Sequence, residues 1–239
     1  IGTAVIDIVG NMTGFGRDVE AGIDRTGRRL TTIGAGLTAA ITGPLVSMGT
    51  TAVQQAQDMW ESINAVEVVF GDAAQSVLDF GQTSSTQLGL SRQALNELVV
   101  PMGALLQNAG FAADEAAEAS LRLTERASDM ASVFNTDVSE ALEAIQSGLR
   151  GEANPLERFG VGLSAAAVNA YALRSGLAET AGEIDDNIRA QARLGLLMEQ
   201  TEAIAGDFAR TSLEGANAQR IAEAQAADLA AEFGGHLLP

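Results

Sequence analysis

From Met59 onward, the apolar residues of this chain return at spacings of three and four. Met59, Ile63, Val66 and Phe70 form a first stripe, and Leu95, Leu98, Met102 and Leu105 a second. Leu123, Ala127, Met130 and Phe134 form a third, and Val138, Ala141, Leu142, Ile145 and Leu149 a fourth. Each stripe places its apolar side chains on one face of a helix. Aromatic residues are only 4% of the chain, so large rings cannot fill the space between such faces. Ala, Leu, Val, Ile and Met must do so. Ala is the strongest helix former, which favours closely packed helices. The predicted fold class is therefore all-α: multiple amphipathic helices, as an extended or multimeric helical bundle, with one short N-terminal strand. That strand is Ile1 to Val9, where Val5, Ile6, Ile8 and Val9 are β-branched and Gly10-Asn11 signals a turn.

Breaks in the pattern divide the chain into five stretches. Residues 1–29 hold the strand and a charged helix closed by Arg25, Arg28 and Arg29. Residues 30–57 carry no charge. Residues 58–150 form a helical core, in which Asp72 and Ser91 are candidate caps and Pro101 should kink or divide its helix. Asp137-Val-Ser-Glu140 reads as a capping box. Residues 151–182 hold the clearest break, with Asn154-Pro155 as a turn into a new helix, then an apolar helix. Thr180-Ala-Gly-Glu183 is a second capping box. Residues 183–239 then read as one long helical segment, with Ile184, Ile188, Leu194, Leu197, Met198 and Ile204 on its stripe and the pattern continuing past Gly206 towards Phe233. The chain ends in mid-phrase and is expected to be a piece of a longer one.

The uncharged stretch admits two readings. It exceeds the ~20 residues a bilayer crossing needs. Ala35, Ala39 and Gly43 lie four apart and make one helix face smooth, and the arginines ahead of it resemble a positive-inside flank. The candidate membrane segment runs through Leu30, Ile33, Gly36, Ile41, Gly43, Pro44, Leu45 and Val53. The same smooth face also suits a buried helical hairpin or an assembly helix, the reading favoured for the assembled state.

Charge and composition remove most chemistry. The formal net charge is −17, which argues against nucleic acid as a general partner. No Lys occurs, so P-loop and Schiff-base chemistry have no amine. Cys is 0 and the one His is His236, which leaves no thiolate or imidazole cluster for a metal and no mid-chain triad. Gly34-Ala-Gly-Leu-Thr-Ala39 fits a loose dinucleotide pattern without the strand that should precede it. Gly162-Leu-Ser-Ala-Ala166 lacks the second glycine of a nucleophile elbow. Glu115, Glu118, Asp185 and Asp186 sit in polar helical stretches and read as solvated faces. Neither catalytic nor cofactor-binding nor metal-binding residues are expected. The residues alone predict an acidic, helical, non-enzymatic assembly or interaction protein.

Longer phrases carry a resemblance. Asp24-Arg-Thr-Gly-Arg-Arg-Leu-Thr-Thr-Ile-Gly-Ala-Gly-Leu-Thr-Ala-Ala-Ile-Thr-Gly-Pro-Leu-Val46 resembles the N-terminal region of bacteriophage tail tape measure proteins, and Met48 to Val66 continues it. Ile145-Gln-Ser-Gly-Leu-Arg-Gly-Glu152 with Pro155-Leu-Glu-Arg-Phe-Gly-Val161 is similar to a central signature of that family. Met198-Glu-Gln-Thr201, Gly206-Asp-Phe-Ala-Arg-Thr-Ser212, Ala216-Asn217 and Gln219-Arg-Ile221 are similar to a closing one. The positions matched are Gly148, Arg150, Gly151, Pro155, Arg158, Phe159 and Gly160, then Gly206, Asp207, Phe208, Arg210 and Ser212. The resemblance implies a structural virion protein of the tail lumen that sets tail length and leaves with or ahead of the DNA. It implies partners in further copies of itself (a trimer or higher), in tail tube, tail tip and assembly chaperone proteins, and in the host membrane at entry. It implies no sequence-specific contact with nucleic acid.

Overall fold

The computed structural model describes residues 48–236. The strand expected over Ile1 to Val9, the charged helix after it, and Leu30, Ile33, Gly36, Ile41, Gly43, Pro44 and Leu45 lie outside the described residues. Val53 lies inside a described helix, although its side chain is not described.

The elements are helical throughout the described residues. They are α1 (Met48–Phe70), α2 (Ala74–Gly81), α3 (Ser84–Gln87), α4 (Arg92–Asn108), α5 (Ala113–Phe134), α6 (Val138–Arg150), α7 (Asn154–Glu157), α8 (Ala165–Arg174), α9 (Asp186–Gln200), α10 (Asp207–Arg210) and α11 (Gly215–Gly235). Short 3-10 turns lie at Gly71–Ala73, Ala181–Glu183 and Glu202–Ile204.

The stripes become two apolar clusters. Met102, Leu123, Met130, Leu142, Ile145 and Leu197 belong to the larger, which joins α4, α5, α6, α8 and α9. Val66, Phe70, Val77, Leu95 and Val99 make the smaller, between α1, α2 and α4. Helix α5 lines both, with Leu123 in one and Ala117 in the other. Absent side chains matter as much as present ones. The Phe70 ring occupies the space where a Cβ on Gly103 would stand, which lets α1 and α4 close on each other. Gln107 Nε2 then donates to the Val69 carbonyl at 2.8 Å, satisfying an end carbonyl of α1. Inside the pair, Asn96 Nδ2 donates to Ser62 Oγ at 3.0 Å, which satisfies two buried polar groups.

Local signals set several ends as expected. Ser91 Oγ accepts from the Ala94 amide at 3.2 Å at the start of α4. Other signals are overridden. Pro101 neither divides nor ends α4, which runs unbroken from Arg92 to Asn108. Pro101 and Glu97 both lie on its exposed face, where water can take the carbonyl that loses its amide. Asp72 falls within the first 3-10 turn, and Ala73 precedes α2 without a side-chain cap. Asp137 precedes α6 but makes no capping bond. The box fails because the Glu140 carboxylate is taken by Thr136 Oγ1 and Arg158 Nη1. At Thr180 the Glu183 carboxylate does reach back, accepting from the Glu179 amide at 3.0 Å. That box opens only a 3-10 turn, and α9 starts later, where Asp185 accepts from the Ile188 amide at 2.8 Å.

The long helix read from Glu183 towards Phe233 is three helices. The breaks fall at Thr201–Gly206 and at 211–214. Of the uncharged stretch, the described end lies in α1, where Ala52 and Ala56 are fully buried in protein. Among the described residues no helix is long and apolar enough to cross a membrane.

Candidate functional site

Of the matched residues, Phe159, Gly206, Asp207 and Phe208 contact the C-terminal end of α5. This end carries polar groups where the stripe predicts core. Arg126 and Asp129 are buried beside Ala127 and Met130. Neither is left without partners. Asp129 Oδ2 accepts from the Gly206 amide at 2.8 Å, and its Oδ1 accepts from the Phe208 amide at 3.1 Å. Arg126 Nη1 donates to the Thr201 carbonyl, and Nη2 lies 3.7 Å from Glu202. One buried charge thus holds each side of the break between α9 and α10. This explains why the helical pattern breaks there: Asp129 takes the amides that would otherwise bond within a continuing helix. Gly206 turns the chain at φ +72, in the left-handed region that glycine adopts without a Cβ penalty.

The closing phrase builds outward from that anchor. Phe208 is buried, and its ring fills the space beside Gly89. Asp207 Oδ2 accepts from Ser132 Oγ at 2.7 Å, and Asp207 Oδ1 takes Arg210 Nη2 at 3.2 Å. Asn217 Nδ2 donates to Ser132 Oγ at 2.7 Å and to Thr211 Oγ1 at 2.8 Å. Arg220 Nη1 donates to Asn217 Oδ1 at 3.2 Å, and Nη2 reaches the Thr136 carbonyl. Ser212 is half-buried and bonds only locally, to the Ala209 carbonyl at 3.0 Å.

The central phrase forms a corner after α6. Gly148 leaves room for Leu156, whose Cδ1 stands where a Cβ would be. Gly151 ends α6 at φ +103, and Arg193 Nη1 caps the Leu149 carbonyl at 3.2 Å. Pro155 opens α7 in the first turn, where its missing amide costs nothing. Gly160 has φ +75. The Phe159 ring stands edge-on to Phe134 with centroids 5.3 Å apart, and Arg158 lies 4.5 Å over Phe159. Arg150 is exposed. Pro155, Arg158 and Arg210 are exposed as well. Both phrases therefore meet the chain between Asp129 and Thr136, at the end of α5 and the turn after it.

A cavity of about 560 Å³ opens beside this cluster, lined by Leu88, Glu125, Arg126, Met198, Gly206 and Ser212 among others. Burial pushes the Glu125 carboxyl above its ordinary range. The Asp129 charge adds to that, and Arg126 and Arg122 oppose it. Among the described residues no group of three His, Asp or Glu side chains could hold a metal. Arg126, Asp129 and Ser132 escaped the sequence reading. Their one visible signal was polar residues on the core side of an amphipathic stripe.

The site is thus a folding junction in an all-α module, where residues of the two phrases hold helices that are far apart in sequence. In comparisons with known proteins, no family model matches this chain and no solved structure matches it. The chain is 28% identical over 196 residues to a protein named tape measure protein from Pneumococcus phage Dp-1. The alignment covers 80% of this chain but 16% of that protein, so the chain spans about a sixth of its relative.

Proposed function

We propose that this chain is a folded module of a tape measure protein of a long-tailed phage. In this reading it is a structural component of the virion, housed in the tail lumen, within a longer protein that sets tail length and leaves with or ahead of the DNA. The observation that carries the reading is the likeness to the phage Dp-1 tape measure protein along 80% of the chain. The junction at α5 supports it, because the phrases that resemble the family's signatures are the ones that hold the fold together. The module acts by assembly rather than catalysis. Its partners would be further copies of itself, a trimer or higher, and tail tube, tail tip and chaperone proteins.

The test uses the phage that encodes the chain. A nonsense mutation in the parent gene should leave heads without tails, and peptides of this chain should be found in purified wild-type tails. Normal tails from the mutant, or tails free of these peptides, would overturn the reading.

A further inference from the structure

The chain holds 14 basic and 31 acidic residues, so acidic groups far outnumber basic ones. Among the described residues, every arginine but one donates a side-chain hydrogen bond or makes an ion pair. The exception is Arg150, whose side chain makes neither. It stands exposed at the last position of α6, and the corner that follows exposes Gly151, Glu152, Asn154 and Pro155.

Glu125 is its counterpart of opposite sign. It lies half-buried on α5, in the wall of the cavity of about 560 Å³. Its carboxylate makes no hydrogen bond and no ion pair among the described residues. The charged groups around it are already engaged. Arg126 donates to the Thr201 carbonyl and pairs with Glu202, and Arg122 pairs with Glu118 at 3.2 Å. Asp129 accepts from two backbone amides. Glu118, Glu125, Asp129 and Glu202 against Arg122 and Arg126 leave this neighbourhood net acidic. A partly buried carboxylate without a partner is costly, which favours the arrival of a cation. Leu88 and Met198 line the same cavity and supply apolar surface, and methionine adapts to what packs on it.

We propose that copies of this chain associate by inserting Arg150 of one copy into the Glu125 cavity of another. The guanidinium donates two parallel hydrogen bonds to the Glu125 carboxylate, and the side-chain stem lies on Leu88 and Met198. Each group lacks a partner in its own copy and gains one across the contact. The two groups lie on different helices. Two copies can therefore exchange the contact about a two-fold axis, and several can pass it around a ring. The net charge of −17 opposes association at long range. Salt near ~0.15 M screens charges more than about 8 Å apart and weakens an enclosed pair much less. The inference rests on the reading above, in which further copies of the module are partners, and names where they meet.

Sedimentation of the full chain at that salt concentration tests it. The wild type should associate reversibly as its concentration rises. Arg150→Gln and Glu125→Gln should each weaken association about tenfold or more, with helix content unchanged. The double variant should be no weaker than the worse single one, because both changes break the same contact. Three results overturn the proposal: a monomer at every concentration, which leaves the cavity to another occupant; association that either variant leaves unaltered; or losses that add in the double variant, as for two separate contacts. Should Glu125→Gln fail to fold, Arg150→Gln decides alone, since that side chain has no hydrogen-bond or ion-pair partner in its own copy. A chain that is monomeric in solution but found in purified tails would overturn the contact and leave the tail assignment standing.

Discussion

Asp129 shows how one side chain decides a chain path. It is buried, and its two oxygens accept from two backbone amides 77 and 79 residues further on. Charged acceptors of this kind contribute more than neutral ones, and a buried amide left without its acceptor is costly. Asp129→Ala should cost about 2–3 kcal/mol in urea unfolding, whereas Asp129→Asn, which keeps one acceptor, should cost about half as much. Two carboxyls, one exposed and one largely buried, respond to pH with opposite sign. The hydrogen bond from Thr136, then that from Arg158, holds the Glu140 carboxyl below its ordinary range. The stability from that contact is present above the ordinary carboxylate range and is lost as pH falls through the folded value. Glu140→Gln should therefore flatten the fall in melting temperature between pH 7 and ~pH 3. Burial first of all raises the Asp228 carboxyl, against the opposing bond from the Arg92 amide. Its contribution is full below the ordinary range and is lost as pH rises through the folded value. Asp228→Asn, which keeps the acceptor, should leave neutral-pH stability nearly unchanged, while Asp228→Ala should lower it by about 1 kcal/mol.

Among the elements, glycines in the central phrase are structural. A Cβ on Gly148 would overlap Leu156 and come within 3.2 Å of Leu163. Gly148→Ala should destabilise by about 1–3 kcal/mol through overpacking, measured by chemical unfolding. Gly160 has open space around it, so Gly160→Ala should cost only the strain of its left-handed backbone, about 1 kcal/mol. The stripes of three and four made α1, α4, α5 and α6 legible, because amphipathic packing acts within one helix. Interruptions set by distant groups were not legible. The break after Gln200 depends on Arg126 and Asp129, and the failure of the Asp137 box depends on Arg158. Sequence shows such residues only as polar positions that do not fit their stripe. The quoted phrases could be seen in sequence, while their convergence on one end of α5 could not, since Ser132, Asp207 and Asn217 meet only through the fold.

For the whole molecule, the placement of the ends carries the consequence. A continuous helix adds ~1.5 Å per residue, but in this module the first and last described helices lie together. In the proposed reading, a module folded in this way would add little to the length of a ruler and would act in assembly instead. The proposal then puts the extended ruler outside these residues; the Dp-1 protein is about six times as long as the part that matches. The most direct measurement is an in-frame deletion of residues 48–236 from the parent gene, with tails examined by electron microscopy. The account predicts that tails do not assemble. Infectious tails shorter by ~280 Å, the length of the same residues as one helix, would contradict it and place the segment in the ruler.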